Sequence, residues 1–170
     1  MADIMAAKEK YSVIDQTDFR ELMSRLPSPV CVVTTDGPAG LAGLTVSAAC
    51  SVTDTPPTML VCVNRSSRSY AALMENREIC INVLGSRQQE IAMRFASSKG
   101  DMKEKFESLP THRLRGGAPA IEGCLASLDC TIVKTADIGT HTVLFCEVHA
   151  SPSEEDEGLT YFRRAFLSLS

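Results

Sequence analysis

The chain has 170 residues, 44% of them hydrophobic, and a formal charge of −4, which is enough to bury one core without metals or disulfides. Tryptophan is absent and the balance is acidic, excluding the broad basic face of a nucleic-acid binder; no apolar run approaches a membrane span, and Met1–Lys10 has no secretory pattern. Seven cysteines, none in a CxxC pair and most inside apolar runs, read as reduced, buried thiols of a cytoplasmic protein rather than a disulfide framework or a zinc site.

Residues 1–14 have a weak pattern and are expected to form a flexible arm, followed by one domain over residues 15–170. Asp15 or Thr17 can cap a helix carrying Phe19, Leu22, Met23 and Leu26 on one face, ended by Pro27 and Pro29. Val30 to Thr35 is strand-like, and Asp36-Gly37 with Pro38 and Gly40 turns the chain back into a strand around Leu44 and Val46. Then comes a stretch of small and hydroxyl-bearing residues, Thr45 to Ser51. Pro56 and Pro57 make a rigid corner before an apolar strand from Met59 to Val63.

That strand ends at Asn64, Arg65, Ser66 and Ser67, just before a helical pattern at Tyr70, Leu73 and Met74, a combination suited to seating a phosphate. Ile79 to Leu84 reads as a strand covered on both faces. Ser86 with Gln89 has capping-box spacing ahead of a helix through Ile91, Ala92 and Phe95, and Asp101 with Glu104 repeats it. Between Ser97 and Gly117 the sequence is polar and broken by Pro110 and a Gly-Gly pair, and a mobile surface excursion able to close over a substrate is expected. Ala126 to Lys134 alternates as a half-buried strand. A turn at Asp137 to Gly139, a strand from His141 to Ala150, an acidic loop and a final strand from Leu159 complete the chain. About six strands without βαβ alternation argue for a mainly β protein, an antiparallel barrel with flanking helices.

The residues alone allow two readings of Thr45 to Ser51. The small side chains can let a flat aromatic ring lie against backbone, with amides and hydroxyls at its polar edge; equally, they can form an ordinary barrel corner. The chain has no GxGxxG and no GxxxxGK[ST], so neither a Rossmann site nor a P-loop is supported. Arg65, Arg68, Arg94, Arg163 and Arg164 are candidates for local anion recognition. The three histidines have no metal-ligand spacing, and no metal is expected.

Six segments in order, PVCVVTTDGPAG (29–40), TVSAACSVTDTPP (45–57), ICINVL (79–84), RFA (94–96), GTH (139–141) and GLTYFRRAF (158–166), together resemble the short-chain flavin reductases of two-component flavin-dependent monooxygenases, a group that includes the reductase partner of 4-hydroxyphenylacetate 3-monooxygenase. The resemblance runs from Asp18 to Phe166. It implies a six-stranded antiparallel Greek-key split barrel and a homodimer. The implied activity is NAD(P)H:flavin oxidoreduction, with NADH or NADPH reducing FMN or FAD and reduced flavin passing, by diffusion or in a complex, to an oxygenase component that hydroxylates an aromatic substrate of the 4-hydroxyphenylacetate or chlorophenol type.

By the same resemblance, Thr45, Val46, Ser47, Ala48, Cys50 and Ser51 face the flavin ring, and Asn64, Ser66 and Ser67 hold the ribityl and phosphate end. His141 positions the nicotinamide and flavin without acting as an obligatory base. Phe95 and Ala96 match an element beside the flavin, with core packing the alternative role for Phe95. Tyr161 and Arg164 lie in a final strand near the cofactor or dimer seam, Arg164 being taken as the inward arginine of a period-two pattern. The segment Leu109 to Arg115 departs from close relatives in lacking a tryptophan. A pyrimidine-utilisation reductase, a non-catalytic flavin-binding split barrel and a purely structural dimer module remain open alternatives; pyridoxamine phosphate oxidases share the architecture but fit the ordered motifs less well.

Overall fold

A computed structural model describes residues 12–169, so most of the expected arm lies outside the described residues. Asp15 caps helix α1 (Gln16–Ser24), its carboxylate accepting from the Thr17 and Asp18 amides at 2.7 and 3.0 Å. Phe19, Leu22 and Met23 of the expected face lie on this helix, whereas Leu26 falls past its end; no residue of the helix is buried, and all four side chains are about half exposed.

The chain then enters a seven-stranded antiparallel sheet. Its strands are β2 (Cys31–Thr35), β3 (Ala42–Val46), β4 (Ala49–Asp54), β5 (Pro57–Asn64), β6 (Glu78–Val83), β9 (Ala126–Ile138) and β10 (His141–Ala150), in the order β3-β2-β6-β9-β10-β5-β4. The two edge strands are halves of one run of chain broken only at Ser47-Ala48. One half pairs with β2, with Cys31 opposite Val46, and the other with β5, with Ala49 opposite Val61. A single bent segment therefore closes the sheet, giving the six-run barrel expected from sequence, and its bend is the stretch of small residues.

Both faces of the central strands are covered. Val33, Val61, Val63, Ile79, Ile81, Ile132 and Leu144 pack one core, while Val30, Val32, Leu84, Ala92, Phe95 and Ile121 pack a second, so Val30 to Val33 and Ile79 to Ile81 are apolar on successive residues. Asn82 is fully buried on β6 and satisfied: it donates to the Val32 carbonyl and accepts from the Ile121 amide and the Ser127 hydroxyl at 2.8 to 3.0 Å. Helix α2 (Tyr70–Asn76) follows β5, and a tight helical turn (Ser86–Gln88) leads into α3 (Gln89–Ala96). The expected Ser86/Gln89 box is displaced by one residue, the Gln88 side chain accepting from the Gly85 amide at 3.0 Å.

Two expectations are corrected. Residues 97–117 are more ordered than a polar excursion: the Asp101/Glu104 box closes reciprocally at 2.7 and 3.0 Å to start α4 (Met102–Phe106), and Phe106 packs edge-on to Phe95 at 5.0 Å. A hairpin of β7 (Thr111–Arg113) and β8 (Pro119–Ile121) follows. Second, Arg163 and Arg164 do not continue a strand. Both have positive φ, 48° and 65°, and form the two-residue turn joining β11 (Gly158–Phe162) to β12 (Ala165–Leu169), which pair with β1 (Ser28–Pro29) in a separate sheet. The period-two argument for Arg164 therefore fails; its guanidinium donates to Glu21 at 3.1 Å.

Candidate active site

The bend between β3 and β4 forms one wall of an open cavity of about 440 Å³. Facing it are the Asn64–Ser69 turn, the end of α3, one side of α4 and His141. Gly43 makes the approach of α3 feasible, because a Cβ there would meet the Phe95 ring at 2.8 Å. The Thr45 hydroxyl ties β3 to α3 by donating to the Ala92 carbonyl at 2.6 Å, so it is engaged within the protein. Ser47 and Ala48 are exposed at the bend; the Ala48 carbonyl accepts from the Cys62 amide at 2.9 Å, whereas Ser47 makes no hydrogen bond among the described residues. An amide and a hydroxyl are thus left facing open space on a ledge of small side chains.

The turn after β5 is built by Asn64. Its side-chain oxygen accepts from the Ser66 amide and hydroxyl at 2.9 and 2.8 Å, and its carbonyl accepts from the Ser67 amide at 2.9 Å. The Ser69 hydroxyl fastens the turn to the Gly43 carbonyl at 2.7 Å. Register places His141 directly opposite Asn64 across β10 and β5. The His141 Nδ1 meets the Thr140 hydroxyl at 2.9 Å, which leaves Nε2 unengaged among the described residues.

Arg65, expected at the phosphate seat, is used elsewhere. Its guanidinium pairs with Asp137 at 3.1 Å and donates to the Gly139 carbonyl, and its amide donates to the Thr140 carbonyl at 3.0 Å. The Thr142 hydroxyl donates to Asp137 at 2.6 Å and lies 2.9 Å from the Tyr70 hydroxyl. Together these contacts clamp the loop carrying His141 against the serine turn. They also hold the Asp137 carboxyl below its ordinary value, the Thr142 hydroxyl acting first and the Arg65 charge reinforcing it against desolvation.

Cationic character comes from Arg68 and Lys105. Arg68 donates to the Ser98 and Gly100 carbonyls at 2.7 and 2.9 Å. Lys105 on α4 is only 5% exposed and donates to the Ser97 carbonyl. Neither has a carboxylate partner among the described residues, and desolvation followed by the Arg68 charge lowers the Lys105 pKa. Two positive groups lining one cavity without a counter-ion favour an anion there. Arg68 was one of five candidates by composition. Lys105 carries no motif, and only the face of α4 that it shares with Met102 turns it into the cavity while Lys103 stays exposed.

Of the residues expected from sequence, Thr45, Val46, Ser47, Ala48, Asn64, Ser66, Ser67, Phe95, Ala96 and His141 all line this cavity. Cys50 and Ser51 lie past the bend on exposed β4, outside it, although Cys62 lines it and has its thiol pKa raised, first by burial and then by Cys50. Tyr161 stacks edge-on to Phe166 at 5.2 Å and lines a second, more apolar cavity that shares Thr45 to Ser47 with the first. Arg164 lies in neither.

Residues 23–170 match the family described as flavin reductase like domain. The chain is 44% identical to the FMN reductase (NADH) RutF of Yersinia enterocolitica over 157 residues, covering 92% of this chain and 86% of the relative. Among solved structures it is similar to BorF, the flavin reductase component of a bacterial two-component tryptophan halogenase, with a TM-score of 0.85 at 26% identity over 91% of this chain and 98% of the other. It is likewise similar to the Streptomyces globisporus NADH:FAD oxidoreductase SgcE6, solved with NAD and FAD fragments, with a TM-score of 0.84 at 27% identity over 94% of this chain and 98% of the other.

Proposed function

Because the chain belongs to the flavin reductase like domain family, we propose that its cavity takes FMN and that NADH is the hydride donor, as in the RutF relatives. It is a flavin reductase with a split-barrel fold. The carrying observation is the single cavity that joins a small-residue ledge, a free imidazole edge and two uncompensated cations.

The residues present fit a flavin. Ser47 offers a free amide and hydroxyl beside backbone without bulk, suited to a flat ring. Arg68 and Lys105, with the Ser66 and Ser67 hydroxyls, would hold a phosphate. The bound flavin supplies a ring nitrogen that accepts hydride and can later pass electrons on. Thr45 to Ala48 orient the ring from one side; His141 donates or accepts a hydrogen bond through Nε2 and positions the nicotinamide on the open side. Phe95 and Ala96 exclude water from the edge beneath α3. No residue need move a proton for hydride transfer itself, so His141 is a positioning residue. Cys50, Ser51 and Arg164 drop out of the set proposed to touch the ring, and Tyr161 is assigned to the neighbouring apolar cavity.

In this reading reduced flavin leaves for a separate oxygenase component, since the site is open and lacks a covalent anchor. The RutF relatives also match the pyrimidine-utilisation alternative, beside a partner oxygenase acting on an aromatic substrate of the 4-hydroxyphenylacetate or chlorophenol type. The half-exposed Phe19, Leu22 and Met23 of α1, with Leu26 just past its end, support a homodimer. The function is tested by NADH oxidation with added flavin: turnover should require FMN and stop without it. Flavin-independent oxidation, or none with FMN, FAD or riboflavin, would end the proposal.

A further inference from the structure

Away from the flavin cavity, and sharing no lining residue with it, a cleft of about 390 Å³ opens between β6, β9, β10 and the loop from β7 to β8. Asp129 of β9 lies at its floor, 0% exposed. One of its oxygens accepts from the Gly116 amide at 2.9 Å; Oδ1 has no hydrogen-bond partner, alone among the buried side-chain polar atoms of the described residues. Leaving a carboxyl oxygen bare in a protein interior is costly.

Glu78 of β6 reaches the same place. A Cβ built on Gly116 would meet Asp129 Oδ1 at 2.8 Å and Glu78 Oε2 at 2.9 Å, so two carboxylates converge on one point beside the glycine. Glu78 accepts from the Thr131 hydroxyl at 3.0 Å, and that hydroxyl is itself 2.8 Å from His149 Nε2. The single hydroxyl proton is spent on Glu78, which orients the imidazole N–H toward the hydroxyl oxygen. No donor remains for Asp129 Oδ1. Arg115 at the rim is exposed and forms no ion pair among the described residues.

We infer that this cleft binds a small primary alkylammonium ion, its N–H groups bridging Asp129 Oδ1 and Glu78 Oε2. An ammonium has three donors and no acceptor, which matches a cleft whose unmet need is for donors with positive charge. A directly coordinated metal fits less well: among the described residues no group of three or more His, Cys, Asp or Glu is arranged to hold one. Gly116 lets the two carboxylates close together, because a Cβ there would meet both and push them apart; its backbone is outside the left-handed region.

The test uses the full chain and n-butylamine, with tetramethylammonium, which has the charge but no N–H, as the control at equal ionic strength. Thermal unfolding and titration calorimetry should show saturable stabilisation by butylammonium alone. Gly116→Ala and Glu78→Gln should each weaken butylammonium binding at least about tenfold. Flavin-dependent NADH oxidation by Gly116→Ala should match the parent, which confirms that the variant folds. Arg115→Ala should bind as well as the parent or better. Equal effects of the two cations, undiminished binding by Gly116→Ala, loss of binding in Arg115→Ala, or saturation by magnesium or manganese ions in place of the amine would each overturn the assignment.

Discussion

Replacing Lys105 with Met separates the phosphate end of the site from everything else. The aliphatic stem of Lys105 is buried with α4 against the cavity, and Met preserves most of that packing. What disappears is one ammonium with no carboxylate partner, leaving the Ser97 carbonyl without that donor. A hydrogen bond to a charged group contributes about 1.5–3 kcal/mol, and at about 1.4 kcal/mol per factor of ten the KM for FMN should rise about 10- to 100-fold. Riboflavin has the ring and no phosphate, so its KM should stay within about threefold of the parent, a difference under about 0.7 kcal/mol. The pH dependence adds a sign. Folding lowers the Lys105 pKa below its ordinary 10.5, so the charge is lost earlier in the folded protein as pH rises. Stability gains across that alkaline window, because the folded state binds the proton more weakly than the unfolded one, while FMN affinity falls. In the Met variant the Lys105 contribution to both trends should vanish. The assay is steady-state NADH oxidation with each flavin across alkaline pH, beside thermal unfolding. An equal loss for FMN and riboflavin, or no loss for FMN, would refute the placement of the phosphate.

Ser47→Trp should fill the bend, abolishing flavin-dependent NADH oxidation while circular dichroism and size remain those of the parent; retained activity would move the ring elsewhere. Asp137→Asn removes the carboxylate that Arg65 and Thr142 share and should raise the KM for NADH about three- to tenfold, the modest loss expected of a solvent-exposed clamp. In the parent this charge persists below the ordinary carboxylate value of 3.8, since its pKa is depressed; the loop contact should therefore survive moderate acid and fail only as pH falls through the lowered value. Leu22→Glu on the half-exposed α1 face should shift the light-scattering mass from dimer toward monomer, and an unchanged mass would put the interface elsewhere. Under native conditions iodoacetamide should label the exposed Cys50 well before Cys31, Cys80 and Cys146, whose thiols burial pushes up to about 12; mass spectrometry reads the order.

The barrel was legible wherever pattern and punctuation agreed. Ile79 to Leu84 declared a strand covered on both sides, Asp36 to Gly40 declared a hairpin, and Asp101 with Glu104 declared a helix start, and each formed. Periodicity could not disclose that β3 and β4 are one run pairing at opposite edges, because that depends on closure of the sheet around residues far apart in sequence. Arg164 was misread for a related reason: two successive residues at positive φ reset the alternation, and nothing in Phe162 to Ala165 carries the Asn-Gly signature of such a turn. Most of the ledge and the serine turn were visible as small and hydroxyl-bearing residues. The reassignment of Arg65 from ligand to clamp needed the register of β5 against β10, and the role of Lys105 needed α4 folded over the cavity.

A crystal structure of the protein with FMN bound tests the central claim most directly. The isoalloxazine should rest on Thr45 to Ala48 with His141 at its open side, and the phosphate should lie within hydrogen-bonding distance of Lys105 and Arg68. Flavin bound away from this bend, or a phosphate turned from both cations, would contradict the account.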